Sequence, residues 1–367
     1  MTSSKTFDAF LALVRLGIGH DNLYANLNWS VDWVAVKALA ERQGLTAVVL
    51  DGADRLNTNS TNGLPVQQKL EWIGEVLQNY EMRYRQYEKA IGSLAGWYNM
   101  HGFRMMVLKG YACSLDWPKP EHRPCGDIDI WLFGKQIEAD SALGSWLKVN
   151  SSWSGIDNSH HHHTVFEWGE FTVENHYDFI NVHHHKSNVE FEKLLKQQGE
   201  DDSHYVDVSG ERLYLPSPDL HALFLLKHTM MHFASEGIVL RQLLDWGFFV
   251  EKHHKEVDWK KVLEVLDQFG MRQMFNIINA ICVGDLGFDV VFFPTLQFDP
   301  TLKEKVLNEI LAPEYSNHTP SGIIRRVIFK IRRWTGNAWK HKLCYKETMW
   351  SAFWSGVWNH LQKPSSI

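Results

Sequence analysis

The chain has 367 residues, 44% of them apolar, and a formal net charge of −6. That length and apolar content support a large buried core, while the negative balance argues against a general nucleic-acid binder. Its four cysteines, Cys113, Cys125, Cys282 and Cys344, have neither metal-ligand nor disulfide-framework spacing, which fits a reducing, cytoplasmic setting.

The first block, residues 1–90, reads as an N-terminal helical region. Its opening, Met1-Thr2-Ser3-Ser4-Lys5 before Phe7, is too short and too polar for a secretory signal, and no window of the sequence has the length of a membrane span. Phe7, Phe10, Leu11, Val14 and Ile18 keep the spacing of one helical face. Leu70, Ile73, Val76, Leu77, Tyr80 and Tyr84 predict a longer helix from about Pro65, and the polar stretch from Asn57 to Gly63 predicts a loop before it.

The middle block, residues 91–215, carries the chemistry. Met106-Val107-Leu108-Lys109-Gly110 reads as a strand stopping at a tight, phosphate-sized turn. Arg123-Pro124-Cys125-Gly126-Asp127-Ile128-Asp129-Ile130 follows and reads as a second strand. Side chains alternate along a strand, so Asp127 and Asp129 share one face while Ile128 and Ile130 enter the core. Two carboxylates at i and i+2 repel unless a cation sits between them, which is how a protein holds Mg²⁺ against a nucleotide's phosphates.

Strand pairing locates a third carboxylate. Gly169-Glu170 suits a two-residue hairpin turn between strands of about 160–168 and 171–179. That turn sets Trp168 opposite Phe171, Phe166 opposite Val173, Val165 opposite Glu174 and His163 opposite His176. Phe166, Trp168, Phe171 and Val173 then form a core face, and His161, His163, Glu174, His176 and Asp178 the polar one. A one-residue slip would mix the two sets. Glu174 is the predicted partner of the aspartate pair, with Asp178 in reserve.

The third block, residues 216–367, begins where Pro216 and Pro218 break regular structure and reads as a C-terminal helical region, with helices at about 219–236, 240–255 and 259–269. His228 and His232 form an i, i+4 pair, as do Arg241 and Asp245, whose simplest role is a salt bridge on the helix. The stretch from Arg325 to Lys346 is basic and aromatic. It suits an RNA or DNA strand, an anionic membrane, or a surface helix with Ile324, Val327, Ile328 and Ile331 packed inward; the continuity of that apolar face favours the last. Trp350, Trp354 and Trp358 repeat every four residues as a core or interface stripe would.

Gly, then Asp-apolar-Asp, then a lone carboxylate on a later strand resembles the DNA polymerase beta-type nucleotidyltransferase superfamily. Leu108-Lys109-Gly110, Arg123 with Gly126-Asp127-Ile128-Asp129, Val173-Glu174-Asn175-His176 and Arg241-Gln242-Leu243-Leu244-Asp245-Trp246 together resemble a bacterial nucleotidyltransferase family widespread in Bacteroidetes and relatives. The likeness spans roughly residues 102–250. One departure stands out: Gly110 is followed by Tyr111, where the superfamily has a small residue.

The resemblance implies an α/β (α+β) enzyme with a small mixed sheet flanked by helical regions. It implies Mg²⁺-dependent transfer of a nucleoside monophosphate from an NTP to an acceptor hydroxyl, the acceptor being a small molecule, a protein side chain or an RNA end. Asp127 and Asp129 would bind two Mg²⁺ ions and Glu174 would complete the second site or act as base. Lys109, Gly110 and Arg123 would meet the triphosphate, with His176 and Arg241 lining the nucleotide cleft. Two alternatives compete: a catalytically silent nucleotide- or partner-binding protein on the same fold, and a metal hydrolase with zinc on His161, His163 and His176. The absence of a Cys pair or a His-Glu-x-x-His motif weighs against zinc.

Overall fold

The computed structural model describes residues 4–20, 30–56, 63–150, 155–159, 162–183, 185–315 and 321–351. The chain opens with three helices, α1 (Ser4–Ile18), α2 (Trp33–Gln43) and α3 (Thr46–Arg55). The apolar stripe of α1 is the reason it folds as a helix against α3, with Phe10, Val14 and Ile18 buried. Asp32 caps α2 by accepting the Ala35 N–H at 3.0 Å, and Gly44 ends it in a left-handed conformation. The long helix expected from Pro65 is α4 (Val66–Val76), continued through a π-helical segment (Leu77–Met82) into α5 (Arg83–Met100).

A six-stranded mixed sheet follows. Its strands are β1 (Met106–Val107), β2 (Ile128–Trp131), β3 (His163–Trp168), β4 (Phe171–His176), β5 (Tyr205–Val208) and β6 (Glu211–Tyr214), in the spatial order β3-β4-β2-β1-β6-β5. The β3–β4 hairpin has the register that parity and the turn demand: Trp168 pairs with Phe171, Phe166 with Val173, Val165 with Glu174 and His163 with His176. Gly169 supplies the positive φ of the turn. The β5–β6 hairpin was not anticipated. Its turn is Ser209-Gly210, both at positive φ, between two runs of four residues.

Short helices α6 (Tyr111–Ser114), α7 (Gln136–Asn150) and α8 (Lys186–Gly199) connect the strands. The C-terminal helices are α9 (Pro218–Ser235), α10 (Leu240–His253), α11 (Trp259–Gln268), α12 (Arg272–Gly284), α13 (Pro300–Leu311), α14 (Ile323–Gly336) and α15 (Ala338–Cys344). The sheet separates two apolar cores. One face, with Val107, Ile128, Ile130, Phe166 and Val173, packs on α5 and α7. Met106, Trp131 and Tyr214 join a larger core built by helices from both ends of the chain. Fully burying one such aromatic is worth about 1.5–3 kcal/mol.

The C-terminal stretch departs from expectation. Ile328 and Ile331 are 47% and 55% exposed, so these two do not pack inward. Trp350 is 63% exposed, and Trp354 and Trp358 lie outside the described residues, as do the side chains of Ile324 and Val327. Among the described residues no helix is long and apolar enough to cross a membrane.

Candidate active site

Two parallel strands bring the predicted carboxylates together. β2 and β4 pair with Asp129 beside Glu174, so both side chains leave the same face of the sheet. Two residues on, His176 shares that face, and His163 lies opposite it on β3. Donor atoms of Asp129, Glu174 and His176 lie within 4.8 Å of one another, within reach of a single cation. Asp127, just before β2, is exposed at the rim and is not part of that group. The aspartate pair was expected to be matched; the structure sinks Asp129, only 4% exposed, and leaves Asp127 outside.

The apolar body of β2 explains that asymmetry. Ile128 and Ile130 anchor the strand in the core between α5 and α7, and Tyr87 donates its hydroxyl to the Asp127 carbonyl at 2.9 Å. Tyr87 also lies beneath Gly110. A Cβ at Gly110 would come within 2.5 Å of the Tyr87 hydroxyl, and the Gly110 φ is +61°. Only glycine satisfies both conditions, so the turn after Lys109 runs close to the start of β2.

Tyr111 does not obstruct this turn. Its side chain is buried on the far side, donating to Glu88 at 2.8 Å and stacked against Tyr84. The cleft is lined instead by Lys109, Gly110, Arg123, Gly126, Asp127, Asp129, His228, Arg241, Gln242 and Asp245, and encloses about 180 Å³. Whole ligands of drug size fill roughly 300–1,000 Å³. The enclosed part is therefore smaller than a whole ligand of that size.

Charge is distributed across the cleft in a way that composition does not show. Lys109 Nζ contacts Asp129 Oδ1 at 2.8 Å and His228 Nε2 at 3.0 Å. His176 Nε2 lies 3.1 Å from the same Asp129 oxygen and 3.5 Å from Glu174 Oε2. Burial would raise the Asp129 pKa, but Lys109 and His176 outweigh it and hold the carboxyl well below the usual range. Burial likewise opposes charge on His176, yet its hydrogen bonds to Asp129 and Glu174 raise its pKa. Asp127 is pushed up by burial and then by the Glu174 and Asp129 carboxylates. Burial, reinforced by the Lys109 charge, keeps His228 neutral, so Nε2 can accept from Lys109.

Arg123 has a different role from the one expected. Its Nε and Nη2 donate to the two Asp245 oxygens at 2.7 and 2.9 Å, and Trp117 Nε1 donates to Asp245 at 2.9 Å. Burial would lower the Arg123 pKa, but Asp245 raises it instead. Arg123 is thus committed to the protein, and the salt bridge anticipated between Arg241 and Asp245 is made by Arg123. Arg241 is left as the cation of the cleft whose Nε makes no hydrogen bond within the protein. Burial and the neighbouring Arg123 charge both lower its pKa.

The helical blocks fix where Arg241 sits. Gln43, at the end of α2, accepts the Leu240 N–H at 2.7 Å and donates to the Ile310 carbonyl at 2.9 Å. Gly44 follows, and a Cβ there would touch the Arg241 stem at 3.5 Å. Gln242 accepts the Val239 N–H at 3.0 Å and closes the first turn of α10.

Of the predicted site residues, the structure brings Lys109, Gly110, Arg123, Asp127, Asp129 and Arg241 to one cleft, with Glu174 and His176 beside Asp129. Asp178, the reserve, is instead held by Lys196. His228 was passed over; its sequence signal, an i, i+4 histidine pair, read more simply as a core feature. It contacts both His232, at 3.2 Å, and Lys109. Of the three histidines in the competing zinc reading, His161 lies outside the described residues, while His163 and His176 sit together with His162. The donors at Asp129, Glu174 and His176 fit a divalent cation by number, proximity and chemistry.

The six-stranded mixed sheet flanked by helices is consistent with an α+β nucleotidyltransferase-like fold. The family described as "uncharacterised nucleotidyltransferase" matches residues 30–283, most of the chain, and the protein belongs to that family. No curated protein and no solved structure matches it.

Proposed function

We propose that the protein transfers a nucleoside monophosphate from an NTP to an acceptor hydroxyl, releasing pyrophosphate, in a metal-dependent reaction. The observation that carries this reading is the cleft itself: Lys109 and Arg241, whose Nε has no partner, line it together with Asp127 and Asp129 beside a turn that only glycine can make.

Arg241 would donate its Nε–H to a phosphate oxygen, gaining a charge-assisted hydrogen bond that this atom lacks in the protein. Lys109 would turn from Asp129 toward the triphosphate, which frees an Asp129 oxygen for a cation. Asp129 and Glu174, with Asp127 from the rim, would hold the divalent ion; when bound, it neutralises phosphate charge and lowers the pKa of the acceptor hydroxyl. Glu174, beside Asp129 on the neighbouring strand, would take the acceptor's proton. The Arg123–Asp245 pair ties α10 to the stretch before β2, which would hold Arg241 and Asp127 in the lining of one cleft.

The test is to incubate α-phosphate-labelled NTPs with the protein and with fractionated small molecules, proteins and RNA. Label should move to one fraction with release of pyrophosphate, and Asp129→Asn should abolish the transfer. Transfer of the γ-phosphate instead, with the α-label left on nucleotide, would contradict it.

A further inference from the structure

Beside the two carboxylates stands a group of histidines that a magnesium site does not need. Donor nitrogens of His162, His163 and His176 lie within 4.8 Å of one another, and His176 belongs equally to the group with Asp129 and Glu174. His163 Nδ1 lies 3.1 Å from His162 Nε2, and its Nε2 lies 4.0 Å from Glu174 Oε1. The two groups share His176: Asp129, Glu174, His176 and His163 lie side by side across β2, β4 and β3, and His162 brings its ring nitrogen in from the residue leading into β3.

The orientation of His176 is the second observation. Its Nδ1 lies 3.2 Å from the Asp178 carbonyl, so that nitrogen carries the proton and donates. In the metal-free protein its Nε2 donates to Asp129 Oδ1 at 3.1 Å, with Glu174 Oε2 at 3.5 Å, and a cation bound among these three groups would take the place of that proton. A backbone carbonyl fixing one ring nitrogen while the other faces acidic oxygens is how proteins orient a metal-bound imidazole. His176 is 3% exposed, which keeps the ring in place.

We propose that His176 is a direct metal ligand, and that Asp129, Glu174 and His176, flanked by His163 and His162, form a mixed nitrogen–oxygen centre selective for a zinc-class divalent cation over Mg²⁺. Mg²⁺ prefers oxygen ligands and keeps its waters, whereas imidazole favours the later first-row metals. The inference deepens the reading of Asp129 and Glu174 as the cation site of a nucleotidyltransferase and rests on it. A shared Asp129 and Glu174 also means that zinc and Mg²⁺ compete for the site.

Calorimetric titration of the metal-free full chain with Zn²⁺ and with Mg²⁺ tests it, together with zinc X-ray absorption at one equivalent. Zinc should bind at least a hundredfold more tightly than Mg²⁺, and the absorption spectrum should carry imidazole scattering. His176→Ala should weaken zinc at least tenfold while changing Mg²⁺ affinity less than threefold. Equal affinity for the two metals, an all-oxygen zinc environment, or zinc binding unchanged in His176→Ala would overturn it, the last placing the metal on other histidines. The wild-type spectrum decides the matter even where the variant does not fold. Mg²⁺-dependent NTP binding, measured in parallel, separates the two ideas: its survival alongside failed zinc selectivity sinks this inference alone, and its absence with every metal sinks the nucleotidyltransferase reading.

Discussion

The guanidinium of Arg123 grips the carboxylate of Asp245 through two hydrogen bonds, across 122 residues of chain. Both groups are buried, Arg123 at 7% exposure and Asp245 at 6%. Removing one partner of such a pair leaves a buried charge uncompensated and costs about 3–5 kcal/mol. Asp245→Ala should therefore lower the unfolding free energy by that amount, measured by chemical denaturation. Arg123→Met with Asp245→Leu should recover much of it. A double variant as unstable as the single one would show that the pair matters through its shape.

Arg241 should behave in the opposite way. It has no ion pair among the described residues, its Nε is unsatisfied, and the Arg123 charge beside it is repulsive. Arg241→Ala should leave stability unchanged or slightly higher. It should weaken NTP binding by about 1.5–3 kcal/mol, the worth of hydrogen bonds to a charged group, or roughly 10- to 150-fold. Paired melting and calorimetric titration check this, and a lower melting temperature with unchanged affinity would contradict it.

At Gly110 the expected effect is steric. Alanine there is strained at φ +61° and meets the Tyr87 hydroxyl, so Gly110→Ala should cost about 1–3 kcal/mol and weaken nucleotide binding as well. Adding Tyr87→Phe removes the clash but not the backbone strain, and should restore part of the stability. Denaturant titrations of the single and double variants separate the two contributions.

Lys227 gives a pH dependence away from the cleft. It is 1% exposed, with its Nζ over the Tyr345 ring at 4.6 Å. Burial lowers its pKa from 10.5 to about 8, only partly offset by Cys344 and Glu347. A base whose folded pKa is depressed adds stability above its unfolded value and loses it as pH falls to the folded one. The wild type should thus gain stability relative to Lys227→Met between about pH 8 and 10.5, by up to about 3 kcal/mol. The variant should be the more stable at pH 7. A difference that does not change with pH would place the Lys227 charge in solvent.

Much of this was legible in the sequence where the rules are local. The β3–β4 register follows from a glycine turn and from Phe166 and Val173 sharing parity, and helices α9 to α11 follow from the helical pattern, with Pro216 and Pro218 marking where α9 begins. The same parity put Glu174 on the polar face, while its place beside Asp129 depends on β4 pairing with β2. What was hidden depends on distant pairing: nothing near Asp245 says that its partner is Arg123 and not Arg241 one turn away. His228 reads as a core histidine until β1 brings Lys109 to it. The role of Tyr111 was open for the same reason, since Glu88 and Tyr84, which take its side chain away from the cleft, come from α5.

The most direct test of the central claim is titration of each NTP into the full chain, with and without divalent metal, for the wild type and Asp129→Asn. Saturable binding of at least one NTP that requires metal and disappears in a folded Asp129→Asn variant is the predicted result. Failure of every NTP to bind, or binding that Asp129→Asn leaves intact, would contradict it.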